Sequence, residues 1–151
     1  MNSIQFELTT PERVVVKTTY DSITIPTQEG EITVLPGHIP LVANLAPGVL
    51  TVRKGNDEEY LAVSGGFIEF QQGDRLIVLA DTAERAEELD LKKIEEAKER
   101  AQKLLTEKRH AEDISSVSAV AALERELARI KVIQRHRGSR RSGTTPGSQQ
   151  R

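Results

Sequence analysis

The chain has 151 residues, 37% of them hydrophobic and 29% charged, a balance that suits a protein with one principal core and a satellite unit. It contains no Cys, which excludes disulfide staples, thiolate metal sites and cysteine nucleophiles. Aromatic residues make up only 3%, so the core has to be built from Val, Ile, Leu and Ala. The net charge of −2 is unevenly spread: residues 134–151 hold Arg135, Arg137, Arg140, Arg141 and Arg151 without an acid, and subtracting those five charges leaves −7 upstream. An acidic body with a basic tail steers toward an anionic partner of some kind.

The N-terminus MNSIQFEL lacks a basic region ahead of an apolar stretch, so the mature chain is expected to start at Met1. From Ile4 to Leu79 apolar residues alternate with polar ones in short runs rich in Val, Ile and Thr. Ile4, Phe6 and Leu8 form one such set, followed by Val14 and Val16, Ile23 and Ile25, Ile32 and Val34, Val49, Leu61 and Val63, and Leu76 and Val78. Each set is expected to face one core. Thr10-Pro11, Pro26, Glu29-Gly30, Pro36-Gly37, Pro47-Gly48, Gly55-Asn56, Gly65-Gly66 and Gly73-Asp74 punctuate the runs with turns. The expected unit, residues 1–84, is an all-β sandwich or flattened barrel of about ten short strands.

After Ala80 the period changes. Gly and Pro vanish until Gly138, and Leu91, Ile94, Ala97, Ala101 and Leu104 fall on one helical face, with Glu95, Glu96, Glu99, Arg100 and Lys103 on the other. A helix near 90–109 is predicted, then a break at His110–Asp113, where Asp113 or one of Ser115 and Ser116 caps a second helix. Val117, Val120, Leu123, Leu127, Ile130 and Ile133 give that helix a narrow seam suited to an antiparallel partner. The overall class is therefore α+β: a sandwich, an antiparallel two-helix hairpin over 85–137, and a disordered basic tail over 138–151. A hairpin this small cannot bury both faces and has to dock on the sandwich, on another protein, or on each in turn.

The loops and helices that carry common catalytic chemistry are missing: there is no G-x-x-x-x-G-K-[ST], no G-x-S-x-G and no H-E-x-x-H. His38, His110 and His136 lack ligand-like spacing to carboxylates, and a surface or structural role suits them better than metal binding. The chain is read as non-catalytic.

Two segments are more specific than composition, Gly30–Leu41 (GEITVLPGHIPL) and Ala62–Glu69 (AVSGGFIE), followed in order by Ala80–Arg85 (ADTAER). Together with both helices they resemble the epsilon subunits of F-type ATP synthases over about residues 4–135. The resemblance implies a rotor subunit clamped to the gamma shaft and seated on the c-subunit ring. It would couple proton flow to rotation and ATP synthesis, as a peripheral protein on the cytoplasmic face of a bacterial inner membrane or the stromal side of a thylakoid. By the same resemblance the Glu29–His38 loop faces the ring, with Glu31 and His38 as contacts. An extended hairpin would meet an acidic loop of the beta subunit, with alpha nearby, through Arg125, Arg129, Lys131 and Arg135, and would inhibit ATP hydrolysis.

Some members of that family bind regulatory ATP through an Ile/Leu-Asp-x-x-Arg-Ala motif and arginines on both helices. Here the match is partial: Leu89 and Asp90 fit, Lys93 replaces Arg and Ile94 replaces Ala, while Glu84, Arg100, Arg125 and Arg129 agree. Weak ATP binding is the resulting expectation, because Lys93 lacks the bidentate fork and Ile94 crowds the pocket. Asp90 has a plainer role open to it as an N-cap. No cofactor is required by this reading. Two other readings stay open at this point, a free ATP-sensing module and an adaptor using its basic tail. Nucleic acid is disfavoured as a partner because the arginines lack interleaved aromatics.

Overall fold

The computed structural model describes residues 2–107 and 114–142. Eight strands come first: β1 (Ile4–Thr9), β2 (Val14–Tyr20), β3 (Ser22–Thr27), β4 (Gly30–Val34), β5 (Leu41–Asn44), β6 (Gly48–Lys54), β7 (Asp57–Gln71) and β8 (Arg75–Arg85). A single 3-10 turn at Ala86–Glu88 leads to the helices α1 (Leu91–Glu107) and α2 (Ile114–Ser142). The strands hydrogen-bond in the order β2-β1-β8-β7-β6-β3-β4, with β5 added to β7, and all pairs are antiparallel except β1 with β8.

There are fewer strands than the turn signals suggest, because Gly65-Gly66 bends a strand without ending it. β7 and β8 keep one register from Leu61↔Arg85 to Gln71↔Arg75 straight through that corner. Gly66 takes φ 122, and a Cβ there would overlap the Leu79 carbonyl, so only glycine lets the two backbones approach. The bend carries β7 from pairing with β6 at residues 57–63 to pairing with β5 at 67–70, which closes the sandwich.

Alternation places Ile4, Phe6, Leu8, Ile23, Ile25, Leu50, Val52, Leu61, Ile68, Phe70, Leu76 and Val78 in one core, each no more than 1% exposed. Burial of a large apolar side chain contributes about 1.5–3 kcal/mol, and this layer supplies most of the fold's cohesion. Two of the residues expected there are elsewhere. Val14 is 54% exposed, because the register slips between Leu8 and Thr9 and turns the start of β2 outward. Val49 is buried on the opposite face, with Ala62, Ala86 and Val132, while its neighbours Leu50 and Val52 take the core.

Both helices form where the period changes, and α1 begins on Asp90, whose Oδ1 accepts the Lys92 and Lys93 amides at 3.0 and 3.4 Å. The seam of α2 is rotated from the one its sequence suggests. Ala119, Glu126, Ala128, Val132 and Ile133 are buried, whereas Val117 is 71%, Val120 43% and Leu127 38% exposed. Small residues let α2 approach α1 and the sandwich closely, and a charged cluster fixes which side it presents. The helix also passes through Gly138 to Ser142, beyond the expected end at 137. His110, the Asp113 cap and the tail from 143 onward lie outside the described residues.

Candidate functional site

Residues Val49, Ala62 and Glu84 stand side by side on β6, β7 and β8, on the face away from the main core. α2 lies across this row and inserts Val132, which is fully buried, among Val49, Ala62 and Ala86, with Tyr60 and Leu89 at the margin. Alongside it, Arg129 Nε donates to Glu84 Oε2 at 2.8 Å, and Arg129 Nη2 donates to the other Glu84 oxygen, giving the two-pronged pairing that guanidinium favours. Arg129 Nη1 donates to Glu126 Oε1 at 2.6 Å. The Glu84 hydrogen bond raises the Arg129 pKa against the pull of burial, so the side chain stays charged in the interface.

Glu126 is only 4% exposed, and its second oxygen has no partner among the described residues; the buried Nε of Arg125 is likewise unbonded among them, 3.9 Å from Glu126 Oε1. Unsatisfied buried polar atoms of this kind cost roughly 1–3 kcal/mol each, so the cluster selects a docking geometry at some expense in stability. Glu126 was not among the residues singled out from sequence. Its spacing of three before Arg129 was the available signal.

Of the residues matching a nucleotide motif, Glu84, Arg125 and Arg129 come together, Leu89 packs at the edge of the Val132 patch, and Asp90 caps α1. Lys93 and Arg100 are exposed on α1, and Ile94 is 5% exposed. Two guanidinium groups already face two carboxylates, and a phosphate would have to displace Glu84 or Glu126 from Arg129.

At the far end of the sandwich, His38 is tied down by its Nδ1 contact with the Ile39 carbonyl at 2.6 Å and by an edge-on approach to Phe70, with ring centroids 5.6 Å apart. Asp74, left-handed at φ 59, accepts the Gly37 amide at 2.6 Å and braces the same turn. Glu31 is exposed on β4. The first half of the segment expected as a loop is therefore an edge strand, since Ile32 and Val34 pair with Ile25 and Ile23. Lys131 and Arg135 are exposed on α2.

Around the corner of β7, register places Asn44, Phe67, Leu79 and Thr9 in one row and Val42, Glu69, Ile77 and Glu7 in the next. Val42 is 73%, Phe67 61% and Leu79 53% exposed, so this outward face sets three apolar side chains in water among polar neighbours. Sequence reasoning missed it, although parity with Ile68 and Phe70 already puts Phe67 outside. Among the described residues no group of three His, Asp or Glu is arranged to hold a metal ion, and no helix is long and apolar enough to cross a membrane.

Residues 3–86 match the family model for the ATP synthase delta/epsilon chain β-sandwich domain, and residues 87–134 match the one for its long α-helix domain. The chain belongs to the ATP synthase delta/epsilon family. The epsilon chain of Moorella thermoacetica is 45% identical over 132 residues, covering 87% of this chain and 96% of that one. That of Dehalococcoides mccartyi strain BAV1 is 39% identical over 137 residues, covering 91% and 96%. Among solved structures, a chain of the Euglena gracilis mitochondrial ATP synthase, determined by cryo-EM with its c-ring, is 28% identical with TM-score 0.74, covering 89% of this chain and 82% of its own length. A chain from the central stalk and c-ring of the Tetrahymena thermophila enzyme, 17% identical with TM-score 0.50, shares the delta/epsilon fold.

Proposed function

We propose that this chain is a non-catalytic rotor subunit of an F-type ATP synthase, coupling ion flow through a c-ring to rotation and ATP synthesis, with a hairpin that inhibits ATP hydrolysis when it leaves the sandwich. The observation that carries this reading is the pairing of two surfaces. The first is the outward face on which Val42, Phe67 and Leu79 stand exposed, apolar side chains that a partner could cover. The second is a hairpin attached through the small Val132 patch and the Arg129 cluster, a connection that can open while the sandwich stays whole.

In this reading the Val42–Phe67–Leu79 face seats on the gamma shaft, and Glu31 with the braced His38 turn contacts the c-ring. On the extended hairpin, Arg125, Arg129, Lys131 and Arg135 meet acidic residues of the beta subunit, with alpha adjacent. Arg129 has to release Glu84 to do so, which makes docking and inhibition mutually exclusive. The chain reaches the membrane, on its cytoplasmic face, only through the complex. ATP is not needed for the rotor role. It would act as a regulator by displacing Glu126 from Arg129, and calorimetry on the isolated chain at millimolar ATP tests this.

The test of the rotor role is reconstitution. A chain carrying Phe67→Asp and Leu79→Asp, both at exposed positions, should fold normally but fail to accompany synthase heads in purification and fail to support coupled ATP synthesis. Undiminished coupling by that double variant overturns the assignment of this face.

A further inference from the structure

The delta/epsilon family model ends at residue 134, yet α2 continues as helix for eight residues more, to Ser142. The sequence there is Arg-His-Arg-Gly-Ser-Arg-Arg-Ser, and no acid follows Glu126 anywhere in the chain. Helical continuation through Gly138 runs against a propensity cost of about 1 kcal/mol, and without carboxylates these turns have no internal Glu–Arg pairs to offset it. Arginines at a helix C-terminus gain a few tenths of a kcal/mol each from the helix dipole, which leaves room for support from outside the helix.

Such support is at hand. The β6–β7 hairpin sets Lys54 opposite Asp57 and Arg53 opposite Glu58, with Glu59 next in line, so its tip carries three successive acids, of which Glu58 pairs with Arg53 at 2.9 Å and Glu59 lies 3.7 Å from Arg85. Tyr60, which packs against the cluster that holds Val132, donates its hydroxyl to Glu58 Oε2 at 2.8 Å. Arg135 lies three residues beyond Val132 on α2, about one turn of helix further along the same surface. The Arg53 hydrogen bond chiefly lowers the Glu58 pKa and burial chiefly raises that of Tyr60, and the charge of Arg135 adds a smaller downward pull on both. Arg137 and Arg140 follow, both exposed.

We propose that the arginine-rich end of α2, residues 135–140, is an electrostatic strap that fastens the hairpin to Asp57, Glu58 and Glu59 on the β6–β7 turn of its own sandwich. The strap holds the docked state without a nucleotide and loosens as ionic strength rises. It acts within a single chain and does not depend on the rotor reading. Its anchor is the buried cluster of Val132, Val49, Ala62 and Ala86, against which Tyr60 packs, and its reach is set by the fixed rise of the helix past Val132.

The test is hydrogen exchange on the full chain and on a version ending at Gln134, each at about 0.01 M and about 1 M salt, where the screening length falls from about 30 Å to about 3 Å. At low salt the shortened chain should show α2 amides between Ala119 and Ile133 opening about 3- to 10-fold more often, as expected for loss of a few exposed charge pairs. Amides of Ile68 and Val78 in the sandwich should be unchanged, and the difference should vanish at high salt.

Arg135→Glu should reproduce part of the loosening, and the swap Glu58→Lys with Arg135→Glu should restore protection. Equal exchange of the two lengths at low salt overturns the strap, as does a swap that restores nothing. Protection that depends on added heparin or RNA also overturns it and assigns the arginines to an external polyanion. If the shortened chain fails to fold, the charge swap alone decides.

Discussion

The sandwich and the hairpin are held together by different means. Nineteen buried side chains form the sandwich core among the described residues, built from alternating strands that leave almost no polar atom inside. The patch between α2 and the sheet has four, one of them from α2 itself, and beside it sits a buried carboxylate with an oxygen unbonded among the described residues. The first region is made of contacts with no alternative arrangement. The second is made of contacts that water, salt or a protein partner could replace, which is what a part that changes places requires.

The sharpest way to break this contrast is in the core. Phe70→Ala, at 1% exposure, should destabilise the whole chain by about 3–5 kcal/mol in denaturant unfolding, since it removes a full ring from a layer that cannot collapse around the gap. A loss confined to the hairpin would mean that the two regions are not independent.

Arg129→Ala is the corresponding change at the interface. It strands Glu84 and the buried Glu126, and should cost about 2–4 kcal/mol of hairpin docking while the sandwich melts as before. Exchange of α2 amides against those of β7 reads the two parts separately. Glu126→Gln should be far milder, because the amide oxygen can keep accepting from Arg129.

The smallest effect sharpens the electrostatics. The Arg53 hydrogen bond, helped by Tyr60 and by the charges of Arg53 and Arg135, lowers the Glu58 pKa from its ordinary 4.5 despite some burial. The associated stability is complete above the unfolded value and is lost as pH falls through the lower folded value. An NMR titration should place the Glu58 midpoint below 4.5, and Arg53→Ala should move it back up.

Much of this was readable in the residues. Period two ended near Ala80 and a helical period followed, so the division into sandwich and hairpin was visible, as were nearly all core positions. What escaped depended on neighbours far along the chain. Val49 was assigned to the wrong face because one strand of alternating residues does not say which side the hairpin will cover. The α2 seam was rotated because Val117, Val120 and Leu127 look like the natural contact, whereas Arg129 is drawn to Glu84, forty-five residues away. The extra turns of helix past 137 were read as a tail because glycine and serine resemble a linker when their surroundings are unknown.

One consequence of the unbroken β7 concerns how this family can vary. Tyr60 and Ala62 serve the hairpin, Phe67 serves the apolar face, and a single ladder with β8 joins them through Gly66. Losing or gaining one residue at the corner would reverse the sidedness of everything beyond it, sending Phe67 into the core and Ile68 to water. The helix beyond the Val132 patch is not bound by this register, but in the stretch between the two working surfaces only substitutions keep the sidedness intact.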